Sequence, residues 1–193
     1  MEVKKANELG ESVRNQISDV FVGGFMQWLQ YFSKDPKKLS QAFAHMFLLE
    51  KFYVAVFDGE IAGITACTDG KSPCVRLKTR ELIRHMGIIR GTIAGMVLKK
   101  EFENHPYPFP IESGRGSVEF VATAEGHRGK GVASAIIRHI LDVESYHSYV
   151  LEVADTNTPA VRLYRKLGFR ELMRVPQKHS KQSGINALVY MSY

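Results

Sequence analysis

The segment from Gly126 to Ser134 has the composition of a phosphate-binding turn. Glycines stand at positions 126, 129 and 131, and the residues after Gly131 are typical of a helix. Glycines let the backbone approach a ligand closely, and the unpaired N–H groups of a first helical turn bind anions. His127, Arg128 and Lys130 add positive character that suits a pyrophosphate. The sequence therefore predicts a phosphorylated ligand at this turn.

Two common phosphate-binding patterns fit the turn poorly or in part. A P-loop needs a glycine where Ala124 stands, and Gly131 takes the place of its serine or threonine. The dinucleotide fingerprint fits Gly129, Gly131 and Ser134, with Glu152 about 20 residues further on. Its first glycine should directly follow the strand, whereas several residues intervene here. A nicotinamide-dependent oxidoreductase is therefore an alternative prediction.

A third pattern, Arg/Gln-x-x-Gly-x-Gly/Ala, is matched at every fixed position by Arg128, Gly131 and Ala133. In this the chain resembles the acetyl-coenzyme A (acetyl-CoA) site of the GNAT N-acetyltransferase superfamily. The resemblance extends over 116–175, where a strand, a helix, a second strand, a short helix and the run Leu167-Gly168-Phe169 follow in the family's order. It is weaker over 52–67.

The resemblance implies an α/β fold with a mixed, twisted central sheet and helices on both faces. It implies acetyl-CoA as cosubstrate, no metal, and an amine acceptor. It also implies that β-strand residues 121–123 splay from the next strand and offer an N–H group to the acetyl oxygen. The cofactor-binding residues implied are Val121, Ala122, Thr123, His127, Arg128, Gly129, Lys130, Gly131, Val132, Ala133, Ser134, Asn157 and Tyr164.

Two residues are candidates for proton transfer. Glu119 is the only acid in Ser117–Thr123 and shares a strand face with Val121. It is interpreted either as the base that takes the ammonium proton or as one half of a salt bridge. Tyr164 is interpreted as a core aromatic or, by the resemblance, as the acid that protonates the coenzyme A thiolate. Asn157 is a helix N-cap, and in the family this asparagine also contacts the cofactor.

Hydrophobic periodicity and turn signals predict the elements that must position these residues. The Asp58-Gly59 pair predicts a hairpin turn. Glycines at 87, 91 and 95 indicate either close backbone packing or room for a ligand. The proline-rich segment from His105 to Pro110 is a connector or an aromatic pocket wall. The predicted helices are 8–33, 36–49, 78–100, 131–146 and 159–167, the predicted strands 52–57, 61–67, 117–123, 149–153, 169–175 and 186–192, and 176–184 is predicted to be a polar loop.

Length and composition limit the number of domains and the cellular location that the sequence predicts. With 193 residues, 45% of them hydrophobic, we expect one acetyltransferase domain over 1–193, in which 8–33, 36–49 and the 78–115 insertion shape the acceptor side. No apolar run is long enough to cross a membrane, and the N-terminus has no secretory signal. Cys67 and Cys74 form no Cys-x-x-Cys pair, which indicates a cytoplasmic protein with reduced thiols. The seven histidines lack metal-ligand spacing.

The net charge of +6, from 26 basic and 20 acidic residues, predicts an anionic ligand. The basic residues are dispersed, so the sequence does not favour nucleic acid, although a basic binding module is one alternative. Positive charge also disfavours a polycationic acceptor unless a local acidic patch overrides it. The preferred function is direct acetyl transfer to a primary amine of a small molecule or peptide, without an acetyl-cysteine. A non-catalytic acyl-CoA sensor is the other alternative, and a homodimer is compatible with the sequence.

Overall fold

The computed structural model describes residues 1–104, 106–178 and 180–193, and its centre is a seven-stranded sheet. The strands lie in the order β1-β2-β3-β4-β5-β7-β6. β4 and β5 pair in parallel, whereas the other neighbours pair antiparallel. The strand ranges are β1 Glu2–Lys5, β2 Phe52–Phe57, β3 Glu60–Thr68, β4 Arg115–Thr123, β5 Ser148–Ala154, β6 Arg170–Pro176 and β7 Ala187–Ser192.

Helices cover both faces of the sheet, so the predicted α/β class is confirmed. Alternate strand residues point to opposite faces. Ile64 and Ala66 of β3 pack in the core with α1 to α4, whereas Cys67 packs with α5 and α6 on the other side. The helix ranges are α1 Arg14–Leu29, α2 Pro36–Phe43, α3 Thr79–Met86, α4 Ile88–Leu98, α5 Val132–Val143, α6 Thr158–Lys166 and α7 Ser180–Ser183.

The hairpin and the parallel pair follow the sequence prediction. Asp58 and Gly59 have φ angles of +50° and +82°, as a two-residue turn that follows the twist of its strands requires. β4, α5 and β5 form the predicted strand–helix–strand unit. β1 was not predicted, since Glu2–Lys5 is short and highly charged. It becomes a strand because its backbone pairs with the edge of β2.

The first two helices are shorter than predicted. Two 3₁₀ turns precede α1, and Gly10, with a φ of +75°, separates them, so the helix begins at Arg14 rather than at 8. α2 ends at Phe43 rather than at 49. The chain beyond it pairs with a distant segment, where the Leu48 N–H donates to the Cys74 carbonyl at 3.0 Å. Helical periodicity cannot show such tertiary pairing.

The helix predicted over 78–100 is two helices, because Gly87 breaks it with a φ of +83°. The break changes the face that α4 turns inward. Three apolar residues beyond the break are exposed, namely Ile89, Ile93 and Val97. Towards the C-terminus, the predicted polar loop 176–184 contains α7, and His179 lies outside the described residues.

The glycines of α4 pack against the backbone and side chains of α3. A Cβ atom at Gly91 would lie 2.5 Å from the Ile83 Cα, and one at Gly95 would lie 2.9 Å from the Thr79 hydroxyl oxygen. For these two positions the close-packing interpretation is therefore confirmed. Contacts this short leave no room for a methyl group beside Ile83 unless the two helices separate.

Gly91→Ala is expected to lower the free energy of unfolding by about 1–3 kcal/mol, because it overpacks the α3–α4 contact. Gly23→Ala is the matched control, since it also replaces a helical glycine but meets nothing within 4 Å. That control is expected to be neutral or to stabilise by up to about 1 kcal/mol through helix propensity. Urea denaturation of both variants measures the difference. Equal effects would contradict the packing argument.

Candidate active site

The pairing between β4 and β5 ends before either strand does. The last paired residues are Val118 and Leu151, although β4 continues to Thr123 and β5 to Ala154. Beyond this point β4 keeps its pairing with β3 on the other side, where Ala122 and Thr123 face Ile64 and Gly63. The β5-facing backbone of the predicted residues 121–123 therefore borders an opening between two strands.

A bulge in β4 lies at the start of this opening. Phe120 and Val121 occupy the space opposite Thr65, between the pairs Ala66–Glu119 and Ile64–Ala122. Phe120 has a φ of +51°, a conformation that is uncommon for a bulky residue. Bulges bend a strand and re-aim its side chains. Nothing in the apolar run of β4 distinguishes Phe120, so the sequence did not predict this feature.

An aromatic cluster holds Phe120 in that conformation. Its ring centroid lies 5.3 Å from that of Phe102, 5.7 Å from that of Phe21 and 5.9 Å from that of Phe25, all with steeply inclined planes. Edge-to-face pairs of this kind are favourable beyond the area they bury. The cluster joins α1, β4 and the π-helical turn Lys99–Glu103 that follows α4.

The turn after β4 presents unpaired amides at the start of α5. The first backbone hydrogen bond of the helix runs from the Ala135 N–H to the Gly131 carbonyl at 3.0 Å. The N–H groups of Val132, Ala133 and Ser134 therefore have no partner within the helix. Gly131 has a φ of +80°, and a Cβ there would meet nothing within 4 Å. N–H donors that have no partner within the helix and lie beside open space fit an anionic diphosphate.

The other predicted residues of the turn differ in what their groups already bind. The His127 and Arg128 N–H groups donate to carbonyls inside the turn at 2.9 and 3.2 Å, and that of Lys130 does so at 3.4 Å. Among the described residues, the Gly129 N–H donates to no backbone carbonyl. The sequence named the whole segment as cofactor-binding, whereas the structure leaves Gly129 and the first turn of α5 with open amides.

Two side chains of the turn contact neighbouring elements. The Arg128 guanidinium donates to the Gly23 carbonyl of α1 at 3.3 Å. The His127 ring lies 5.3 Å from the Phe57 ring at the β2–β3 hairpin. Gly63 of β3 seats the helix behind the turn, because a Cβ there would lie 2.5 Å from a Val132 methyl group. The turn before α5 and the first residue of that helix are thus supported by α1, β2 and β3.

Among the described residues Glu119 forms no salt bridge, which was its alternative interpretation, and its partners are neutral. Its Oε1 accepts a hydrogen bond from the Thr68 hydroxyl at 2.8 Å, and its Oε2 accepts one from the Cys74 thiol at 3.3 Å. Both donors are uncharged and fully buried. The sequence did not connect either residue with Glu119, since 45 residues or more separate them along the chain.

Glu119 also lines a cavity of about 240 Å³. Four carboxylates border it, and among the described lining residues Lys71 is the only basic one. Its aromatic walls include Tyr107, from the proline-rich segment, whose first residue His105 lies outside the described part of the chain. The residues that line the cavity are Phe25, Gly70, Lys71, Ser72, Pro73, Glu101, Phe102, Glu103, Tyr107, Val118, Glu119, Phe120 and Glu152.

Among the described lining residues, four carboxylates outnumber one lysine, and this local excess of negative charge contrasts with the net charge of +6. Glu103 accepts a hydrogen bond from the Leu77 N–H at 3.0 Å, and Glu152 is hydrogen-bonded to the Tyr190 hydroxyl. In the alternative prediction of a nicotinamide-dependent oxidoreductase, a dinucleotide binds at the turn and Glu152 contacts its ribose. The place of Glu152 in the acidic cavity argues against that alternative. Glu101 and Glu103 were missed, because a charged helix end usually indicates only a solvated surface.

Tyr164 and Asn157 lie on the α5 side of the sheet. The Asn157 side chain accepts a hydrogen bond from the Ala160 N–H at 3.3 Å, as its predicted N-cap role requires. Tyr164 is buried beside Phe169, with 6.1 Å between ring centroids, and it does not line the acidic cavity. Burial raises the pKa of its hydroxyl group above the ordinary value. The hydroxyl therefore stays protonated through the neutral range.

The described residues include no cluster of three metal-ligating side chains and no helix with the length and apolarity to span a bilayer. The predictions that no metal and no membrane take part stay predictions.

Comparisons with known proteins agree with this geometry. A sequence profile of the Acetyltransferase (GNAT) family matches residues 24–169, more than half of the chain. Streptothricin acetyltransferase of Streptomyces lavendulae is 39% identical over 59 residues, which are 28% of this chain and 31% of that protein. An N-alpha-acetyltransferase of Sulfurisphaera tokodaii is 28% identical over 103 residues, which are 50% of this chain and 61% of that protein. The chain thus covers less than two thirds of either relative.

Solved structures show the same fold. The crystal structure of an N-acetyltransferase from Staphylococcus aureus Mu50 superposes with a TM-score of 0.64 at 15% identity, and the match covers 100% of both chains. Another, described as histone acetyltransferase HPA2 and related acetyltransferase from Corynebacterium glutamicum, has a TM-score of 0.61 at 22% identity and covers 98% of this chain and 93% of that one.

Gly131→Glu is expected to abolish binding of acetyl-CoA, because a side chain and a negative charge would enter the space in front of the open amides. Gly10→Glu is the matched control, since Gly10 also has a positive φ, of +75°, and open space around it. Isothermal titration calorimetry with acetyl-CoA compares the two folded variants. Unchanged affinity in Gly131→Glu would place the diphosphate elsewhere.

Proposed function

The chain belongs to the acetyltransferase (GNAT) family, and on that premise we propose that it transfers the acetyl group of acetyl-CoA directly to a primary amine of a compact, positively charged molecule. One observation carries this proposal. A single segment, from Val118 to Ser134, lines an acidic cavity at its start and presents open helix amides at its end. An amine acceptor and an anionic carrier are thus served by neighbouring parts of the same chain segment.

The carrier is proposed to bind along the opening between β4 and β5. The amides of Gly129 and of Val132 to Ser134 hold its diphosphate, and the positive end of the α5 dipole contributes. The β5-facing backbone of residues 121–123 binds the pantetheine arm, and one of its N–H groups donates to the acetyl oxygen. Acetyl-CoA supplies an activated acetyl thioester. Asn157, at the start of α6, is proposed to contact the same arm.

The acceptor is proposed to enter the acidic cavity as an ammonium ion. Four carboxylates lower its energy there, and Glu119 takes one proton so that the nitrogen becomes nucleophilic. The aromatic walls exclude water from the reacting nitrogen. The names of the two relatives point to streptothricin in one case and to an N-alpha position in the other. The volume of about 240 Å³ favours a small molecule over a folded polypeptide segment.

Tyr164 is proposed to donate the proton that the departing thiolate requires. Burial raises its pKa and keeps the hydroxyl group protonated through the neutral range, so the proton is present when the thiolate departs. The thiolate that departs from acetyl-CoA is proposed to take this proton, because a charge that forms in a desolvated site needs a partner or a proton. The neutral hydroxyl also places no charge on the apolar face of α6.

Direct transfer is preferred to an acetyl-cysteine route. Burial raises the pKa of the Cys67 thiol to about 12 and that of the Cys74 thiol well above its ordinary value. Both therefore remain protonated near neutral pH, and a protonated thiol is a poor nucleophile. Both cysteines are free and buried, which supports the proposal of a reducing, cytoplasmic location. A non-catalytic sensor would bind acetyl-CoA without releasing coenzyme A when amines are added.

Tyr164→Phe is expected to lower kcat by about 10²-fold or more while the affinity for acetyl-CoA changes less than threefold, because only the proton donor is lost. The ratio of wild-type to variant rates should stay constant below about pH 10, since the native hydroxyl remains protonated there. Thiol release measures kcat, and calorimetry measures affinity. An unchanged kcat would remove Tyr164 as the acid.

The acceptor class is tested with an aliphatic diamine, putrescine, and the monoamine of equal length, butylamine. We expect kcat/KM to be about tenfold higher for the diamine, beyond the factor of two for its two amines, because its second charge faces the carboxylates. Glu152→Gln should reduce this preference but keep an acceptor for the Tyr190 hydroxyl. Glu60→Gln, an exposed substitution outside the cavity, is the control. Equal kcat/KM values for both amines would overturn the proposed charge preference.

A further inference from the structure

Two donors fix both oxygens of the Glu119 carboxylate. Thr68 donates to Oε1 at 2.8 Å and Cys74 donates to Oε2 at 3.3 Å. Both belong to the end of β3 and the loop after it, whereas Glu119 lies on β4. The side chain is therefore held across the sheet rather than by its own strand.

The Thr68 hydroxyl acts towards Glu119 as a hydrogen-bond donor. Its oxygen accepts a hydrogen bond from the Gly70 N–H at 3.0 Å, and its single proton is left for the carboxylate. Gly70 has a φ of +69°, which turns the chain back over the end of β3. The backbone turn therefore orients the hydroxyl group, and the hydroxyl group orients Glu119.

Sheet register and burial make these contacts rigid. Across β3 and β4, Ala66 faces Glu119 and Thr68 faces Ser117, so Thr68 and Glu119 are diagonal neighbours on one face. Thr68 is fully buried. Cys74 is also fully buried, and its carbonyl accepts a hydrogen bond from the Leu48 N–H. Close packing restricts both buried donors to the orientations that the surrounding core allows.

The carboxylate retains acceptor positions beyond those that the two donors use. An ionised carboxylate has about four lone-pair positions, and Glu119 also lines the cavity in which the amine is proposed to bind. Without the two donors, repulsion from Glu101, Glu103 and Glu152 would be free to turn the charge away from its place. A base that is misplaced by about 1 Å loses much of its rate advantage.

We propose that Thr68 and Cys74 are positioning residues that aim the Glu119 carboxylate at the acceptor nitrogen, an inference that rests on the proposed function. Thr68 has the larger effect, because a hydroxyl is a stronger donor than a thiol. The two residues touch neither the acceptor nor the carrier, and they act through Glu119.

Thr68→Val removes the donor while keeping the shape of the side chain. It is expected to lower kcat about tenfold with acceptor KM changed less than threefold, since a general base contributes about 10²- to 10⁴-fold and only its orientation is lost. Thr68→Ser should restore the rate to within threefold of wild type. Cys74→Ala should lower kcat about two- to threefold. Thr65→Val is the matched control, because Thr65 is also a buried β3 threonine but bonds its own strand at the Ile64 carbonyl.

A double-mutant cycle with Glu119→Gln distinguishes positioning from a general structural role. If Thr68 acts through Glu119, Thr68→Val should change kcat less than twofold in the Glu119→Gln background. The same tenfold loss in both backgrounds would overturn the inference, as would an equal loss in Thr65→Val. Failure of the proposed function has a different signature, in which Glu119→Gln itself leaves kcat unchanged or the wild-type protein releases no coenzyme A with any amine.

Discussion

The end of the β4–β5 pairing at Val118 and Leu151 is the constraint on which the site depends. A continuous parallel ladder would use the backbone groups of residues 119–123 and close the space between the strands. The bulge at Phe120 bends β4 away, and the surrounding rings stabilise a backbone conformation that a phenylalanine rarely adopts. The core on the α1 side therefore contributes directly to the opening, although no residue of α2 or α3 lines the cavity.

Opposite electrostatic environments follow one another along this segment. The cavity at Glu119 concentrates carboxylates, whereas the turn at Gly131 presents helix amides with Arg128 and Lys130 nearby. The net charge of +6 describes neither environment. The net charge sums charges that the fold places far apart. The electrostatic potential in a cavity depends instead on the charged side chains that border it. This is why the cavity suits a cation in a basic protein.

Sequence predictions were right where a feature depends on neighbouring residues and wrong where it depends on distant ones. The α5 turn depends on neighbouring residues, since glycine conformations and the first helical amides are set within a few positions, and its shape was predicted. The helix boundaries depend on distant partners. Leu48 lies beyond α2 because it pairs with Cys74, and the inward face of α4 shifts because Gly87 breaks the helix. Periodicity carries no information about either event.

The sequence by itself determined the hairpin at Asp58, the strand–helix–strand unit of β4, α5 and β5, and the glycine-containing turn before α5, because each arises from local backbone preferences. It also identified Glu119 as an acid within an apolar strand. The tertiary structure alone decided what Glu119 contacts. Thr68 and Cys74 hydrogen-bond to Glu119, and Glu101 and Glu152 border the cavity that it lines. Only sheet register and helix packing bring residues so distant in sequence within hydrogen-bonding or electrostatic range.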